Sequence, residues 1–532
     1  MRVEEYRQEY AGFNESLLRE FYLHHSGQKP DLELGPIYER YAELFRLDSI
    51  DSLRQELSST SKHFETARAG LRHLLTFAIN NFLEAQVEKL TEEISAQEAS
   101  AAVEWAGRSM TFQETAIAIA NESDRGLRNE LFEARISMIR ASNDLRAERL
   151  SKLHDASRTI GPVEMTADIP ATRHSGKSTG VEQQAEAAWG VAAAQEATDN
   201  YRTLYEDLTG LDFQQLESQC RTLLASTESK YVANLSEALN ADLGITLDQA
   251  TRSDAVYFLH HSPYETRFPA RGLLGVYRAT MEGLGIKTET QNNIFIDDEP
   301  RPRKNPRAFC APIRIPTEVR LVIRPFGGQS DYLALLHEAG HAQHYAWTSN
   351  SLLPEFKYTG DPALTETYAF LFNHLPGDPA WLSSILGFPD NADFVRATML
   401  AKLVTVRRYA AKFIYERELH TSGDLGRARG LYAELQTGAT KFSTGEAEFL
   451  FDLDDGFYSA GYLRAWAFEV GLREHIKSRF GKNWWTSRKA GNFLKEIWET
   501  GERHTADEMA SLIGIGPINF DNLIDEFVNA LK

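Results

Sequence analysis

The stretch from Phe326 to Trp347, FGGQSDYLALLHEAGHAQHYAW, decides how this 532-residue chain is read. Gly327 and Gly328 make a turn, Ser330 is a good N-cap, and the apolar-rich segment that follows predicts a helix. His337 and His341 stand four residues apart on that helix, so their imidazoles share one face, one turn apart. Two imidazoles so placed suit a single zinc ion. Glu338 is offset by one position from the first histidine and reaches toward the same point, which makes it the candidate general base. Gly340 in a helix interior costs about 1 kcal/mol relative to Ala. Such a cost points to a neighbouring backbone or a bound strand passing close by.

A zinc ion that does chemistry needs three protein ligands and an open fourth position. The third is sought in GDPALTETYAFLF, residues 360–372. Gly360 ends the preceding loop, Asp361 is the expected N-cap, and Pro362 fits the first helical position. Glu366 then falls on the second turn of this helix, 25 residues beyond His341. A short loop suffices to bring the second helix back antiparallel beside the first, so Glu366 completes a His2Glu set. Ala369, three residues on, is small enough to leave room for the metal helix. His344 is read as a polar neighbour rather than a ligand. Asp361 and Thr365 are both placed to orient a ligand, and spacing does not choose between them.

Upstream of the metal motif lies RAFCAPIRIPTEVRLVIRP, residues 307–325. Alternating Val319, Leu321 and Ile323, with prolines on each side, predict two short strands near 310–315 and 318–324 joined as a hairpin. Most of the remaining chain carries helical periodicity. Leu83, Val87, Leu90 and Ile94 form one expected apolar stripe, and Leu127, Leu131, Ala134, Met138, Ala141 and Leu145 a second. Residues 161–181, rich in Pro, Gly, Ser and Thr, read as a long surface loop or a connection between lobes, with helical pattern resuming over 183–240. The expected organisation is mainly α and two-lobed, with a helical N-terminal lobe over 1–200 and a metal-bearing lobe over 201–532.

Hydrophobic residues make up 42% of the chain and charged residues 25%, which suits a soluble globular protein with a large core. The formal charge of −19 argues against nucleic acid or an anionic membrane as partner. No apolar run is long enough for a membrane span, and the charged N-terminus lacks the features of a secretory signal. Cys220 and Cys310 are the only cysteines, which excludes a disulfide framework and fits a cytoplasmic location.

HEAGHAQH followed by GDPALTETYAF resembles the thimet oligopeptidase and oligoendopeptidase F family of zinc peptidases. DDGFYSAGYLRAWAFE, residues 454–469, is similar to the tyrosine-rich segment that lines the active site in that family. The resemblance implies a zincin-like, two-lobed helical shell around a deep channel, with a small sheet along the substrate cleft. It implies zinc as cofactor, oligopeptides as substrates, and Tyr458 and Tyr462 as matches to two family tyrosines. Tyr462 is the better candidate to donate a hydrogen bond to the tetrahedral oxyanion. The hairpin at 310–324 would then offer the edge strand to which a peptide adds by main-chain hydrogen bonds. Two departures stand out. The family has a histidine about five residues before the first of these tyrosines, where this chain has Asp452, Leu453 and Asp454. A further family tyrosine is replaced by Ala465.

Two alternatives remain at the level of sequence. A metallocarboxypeptidase of similar fold would need basic groups for a free C-terminal carboxylate, for which Arg320 and Arg324 are candidates. A zinc-bound peptide-binding protein with little turnover would have no need of Glu338.

Overall fold

A computed structural model describes residues 1–105, 107–161, 163, 200–260 and 263–532. Among its helices are α1 (Val3–His25), α2 (Glu65–Ser100), α3 (Arg125–Ile160), α4 (Phe213–Leu243), α5 (Gln329–Trp347), α6 (Pro362–Asn373), α7 (Ala392–Ser422) and α8 (Tyr458–Phe480). Among the described residues five short strands accompany them: β1 (Ala102–Trp105), β2 (Arg108–Thr111), β3 (Ile294–Asp297), β4 (Phe309–Arg314) and β5 (Glu318–Val322). The architecture is mainly helical with small sheets, as expected. No helix among the described residues is long and apolar enough to cross a membrane.

Two compact units are present, each assembled from three stretches of sequence. One comprises Met1–Ile79, Pro263–Thr398 and Arg464–Leu523; the other comprises Asn80–Ser262, Met399–Leu463 and Ile524–Lys532. This differs from a single division at residue 200. Residues 1–79 belong with α5 because α1 covers the sheet beside it: Tyr22 packs with Ala311, Ile313 and Val322, flanked by Leu18, Leu23 and Phe309.

In the first unit the expected hairpin is present, with β4 antiparallel to β5 and a register shift between Ala311 and Arg314. A third strand, β3, runs parallel to β5 on its other side, giving the order β3-β5-β4. β5 is therefore central and β4 is an edge. Alternation along β5 buries Val319 and Leu321, and Val322 and Ile323 are buried as well.

The second unit holds one apolar stripe where it was expected and one where it was not. Leu83, Val87, Leu90 and Ile94 are all buried on α2. On α3, Leu131 is buried, but Leu127 is 43% exposed and the inward face carries Arg128, Ile139, Ser142, Asn143 and Leu150. The stripe is displaced because polar residues turn inward to meet partners. Arg128 donates to Asp254 at 2.7 Å and to the Glu122 carbonyl at 2.8 Å. Asn143 donates to the Ala447 carbonyl at 2.9 Å. A buried charge that is paired and hydrogen-bonded can occupy a core face that apolar counting assigns to Leu. The hairpin of β1 and β2 interrupts what reads in sequence as continuous helix. The loop expected over 161–181, apart from Gly161 and Val163, and the helical pattern over 183–199 lie outside the described residues.

Candidate metal centre

The helix of the candidate metal centre, α5, starts two residues earlier than its sequence suggests. Gly328, with φ 92°, holds the N-cap position, and Ser330 lies inside the first turn. Three acceptors take up the backbone N–H groups here. Asp331 reaches back to Phe326 and Gly327 at 2.6 and 2.7 Å, Glu265 accepts from Gln329 at 3.2 Å, and the Phe268 carbonyl accepts from Gly328 at 2.8 Å. The Asp331 carboxylate, at the third helical position, ties down the turn that leads into the helix and places negative charge at its N-terminus, where the helix dipole favours it. The start of α6 is as expected: Asp361 caps it by accepting from Ala363 at 3.0 Å, and Pro362 occupies the first position. Asp361 also accepts from Arg464 at 2.9 Å and from the Ala506 backbone at 3.0 Å, so its carboxylate is fully used.

α5 and α6 cross at Gly340. A Cβ built there would lie 2.6 Å from the Ala369 Cα and 2.6 Å from the Tyr368 carbonyl oxygen. The close approach inferred from Gly340 is therefore that of a neighbouring backbone, and small Ala369 is the residue opposite. This contact brings Glu366 over the face that carries the histidines. His337 Nε2 is 3.3 Å and His341 Nε2 3.7 Å from Glu366 Oε2, and one ligand atom from each of the three residues lies within 4.8 Å of the others.

That geometry suits a metal ion. Ligand atoms at about 2.1 Å from a tetrahedral zinc stand about 3.4 Å apart, and the separations of 3.3 and 3.7 Å bracket that value. The donor set is two imidazoles and one carboxylate, a combination zinc accepts. Burial pushes the His341 imidazole down to about 4 despite the opposing pull of Glu366, so this ring is neutral at pH 7, the form that ligates. Burial opposes charge on His337 too. There the hydrogen bond that His337 donates to Glu366 and the nearby Glu338 and Glu366 carboxylates win, holding its pKa above the ordinary value.

Glu338 sits at the same centre but faces the sheet. Its Oε2 accepts the Cys310 backbone N–H at 2.9 Å, a donor on the edge strand β4. Burial lifts the Glu338 carboxyl to about 7, against the lowering effects of His337 and of the Cys310 N–H. A nearby cation favours the carboxylate form, so metal in the site would leave Glu338 as an available base.

Behind His341 lies a buried polar cluster. His341 Nδ1 is 2.9 Å from Thr365 Oγ1, and His344 Nδ1 is 3.4 Å from the same oxygen. His344 is fully buried and its Nδ1 lies 3.9 Å from Glu502 Oε1. Burial pushes His344 down to about 3 and lifts Glu502 to about 8, with Asp361 and Glu366 adding to the latter. His344 thus faces away from the ligand triad, as expected of a polar neighbour. Sequence reading missed Glu502 and the Cys310 N–H: Glu502 lies far along the chain from α5, and a backbone N–H carries no residue-type signal.

The two tyrosines taken from the family resemblance belong to the other compact unit. Tyr458 opens α8 and is 37% exposed, while the Tyr462 ring packs at 5.0 Å from Tyr458 and 5.3 Å from Tyr409. The two aspartates standing where the family has histidine are spent on ion pairs. Asp454 binds Lys412 at 2.8 Å, and Asp452 pairs with Arg408 and accepts from Tyr432 at 3.0 Å. Ala465 is fully buried, and its carbonyl lies 3.4 Å from Thr367 Oγ1 on α6. It is a packed interior position.

No known family profile matches this sequence, and no curated protein matches it. Among solved structures, the chain is similar to one described as PZ peptidase A with inhibitor 2. That likeness has a TM-score of 0.64 at 13% identity and covers 100% of this chain and 96% of the other. At that identity the likeness is one of fold.

Proposed function

We propose that this protein is a zinc-dependent peptidase that hydrolyses oligopeptides with Glu338 as general base. The observation that carries the reading is the convergence of His337, His341 and Glu366 within 4.8 Å, with the Glu338 carboxylate held beside them by a strand-edge N–H. The likeness of fold to a chain named as a peptidase supports the same class.

A zinc ion held by His337, His341 and Glu366 would supply a Lewis acid that lowers the pKa of water towards about 7 and polarises the scissile carbonyl. The protein's own groups supply the remainder. Glu338 takes the proton of the attacking water on its free carboxylate oxygen and delivers it to the departing amine. The Cys310 N–H fixes the other oxygen and so aims the carboxylate. β4 is an edge strand, and an extended peptide adding to it would lie along the element that holds Glu338. Tyr462, with Tyr458 as the second candidate, is assigned the oxyanion hydrogen bond, a contribution of about 3 kcal/mol where such donors have been removed elsewhere.

The carboxypeptidase alternative draws no support from its proposed arginines. Arg320 donates to Glu318 at 2.6 Å and lies over the Phe295 ring at 4.3 Å, and Arg324 lies over Phe326 at 4.9 Å. Peptides blocked at both ends, offered to the zinc-loaded protein with and without chelator, test the reading. Cleavage that chelator abolishes and zinc restores is expected. Cleavage only of peptides with a free C-terminus would return the carboxypeptidase alternative, and no cleavage of any peptide would leave a binding protein.

A further inference from the structure

We propose that Thr365 is the positioning residue of the metal centre, holding His341 by an acceptor hydrogen bond in the tautomer that ligates metal. The inference rests on the reading of His337, His341 and Glu366 as ligands and adds to it a residue with no charge of its own. Thr365 precedes Glu366 on α6, so one turn of helix supplies both a ligand and the group that orients another ligand.

The geometry distinguishes the two nitrogens of His341. Nε2 faces Glu366 at 3.7 Å, while Nδ1 faces Thr365 Oγ1 at 2.9 Å. If Nε2 carries the metal, Nδ1 must carry the hydrogen, and that hydrogen needs an acceptor. A hydroxyl has two acceptor lone pairs and one hydrogen of its own. Thr365 therefore accepts from His341 and still has a hydrogen to give to His344 Nδ1 at 3.4 Å or the Tyr345 hydroxyl at 3.5 Å. A carboxylate, the commoner orienter of metal-bound histidines, would leave His344 Nδ1 and the Tyr345 hydroxyl without this donor. It would also add a negative charge between Glu366 and Glu502, both of which are buried. The other candidate, Asp361, is occupied by the α6 cap, Arg464 and the Ala506 backbone.

Thr365→Ser and Thr365→Ala both lose the methyl group and differ only in the hydroxyl. Zinc dissociation constants measured by chelator competition on metal-stripped protein read that hydroxyl without reference to activity. Thr365→Ser is expected to bind within a few-fold of the parent, and Thr365→Ala roughly 10- to 100-fold more weakly. In the zinc-loaded parent, long-range 1H–15N spectra are expected to show His341 protonated at Nδ1. Equal zinc affinity for the two variants, or a His341 protonated at Nε2, would overturn the assignment to Thr365. A parent protein whose zinc affinity is unchanged by His341→Ala would instead overturn the ligand set itself.

Discussion

Replacing Gly340 by Ala gives a sharp test of how the centre is built, because two effects of known size oppose each other. Helix propensity alone favours Ala by about 1 kcal/mol. The added Cβ, however, would lie 2.6 Å from the Ala369 Cα, 2.6 Å from the Tyr368 carbonyl oxygen and 3.0 Å from the Ala369 nitrogen. All three are backbone atoms, which have no rotamer to escape into. Reaching ordinary contact at 3.4 Å needs α5 and α6 to separate by about 0.8 Å. Overpacking of this kind costs about 1–3 kcal/mol, so after the propensity gain of about 1 kcal/mol the net expectation is a loss of up to about 2 kcal/mol. The separation also pulls Glu366 away from His337 and His341, whose contacts with it are 3.3 and 3.7 Å. Urea unfolding of the metal-free protein and zinc affinity should both fall. A Gly340→Ala protein that gains stability by the propensity term and binds zinc like the parent would show that the helices do not meet here.

Glu338→Gln should keep its zinc, since the amide oxygen can still accept from Cys310, while peptide hydrolysis falls by about 10²- to 10⁴-fold; metal analysis and initial rates check this. In the metal-free protein, Glu502 has a pKa raised to about 8 by burial. A raised folded-state pKa means its contribution is greatest at acid pH and is lost as pH rises through about 8. Stability should therefore decline from about pH 5 to pH 8, and Glu502→Gln should flatten that slope in unfolding curves taken across the range. Asp361→Ala removes the α6 cap and one partner of nearly buried Arg464, so a loss of about 2–4 kcal/mol in urea unfolding is expected. Tyr462→Phe should lower kcat and leave zinc content unchanged; unchanged kcat would exclude it as the oxyanion donor.

The parts legible in sequence were those whose determinants lie within one helix or one turn. His337, Glu338 and His341 share a helix, and the Asp361–Pro362 start of α6 is a local signal. The hairpin of β4 and β5 was legible for the same reason. What escaped were features set by partners far along the chain. β3 is four residues long and acquires its role only by pairing with β5. The inward face of α3 turns on Asp254 and the Ala447 carbonyl, so counting apolar residues gave Leu127 a burial it lacks. Thr365 and Asp361 were equivalent by spacing, and only the 2.9 Å contact to His341 separates them. Ser330 reads as the cap by residue type, but Gly328 takes that position, its N–H held by the Phe268 carbonyl, a partner remote in sequence.

The most direct test is a zinc titration of metal-stripped protein with cleavage of an internally quenched peptide library as the readout. Activity is expected to rise in proportion to added zinc and to plateau at one equivalent, with His341→Ala failing to respond. Hydrolysis that is independent of zinc, or a fully loaded site that cleaves nothing, would contradict the assignment of His337, His341, Glu366 and Glu338 as a hydrolytic metal centre.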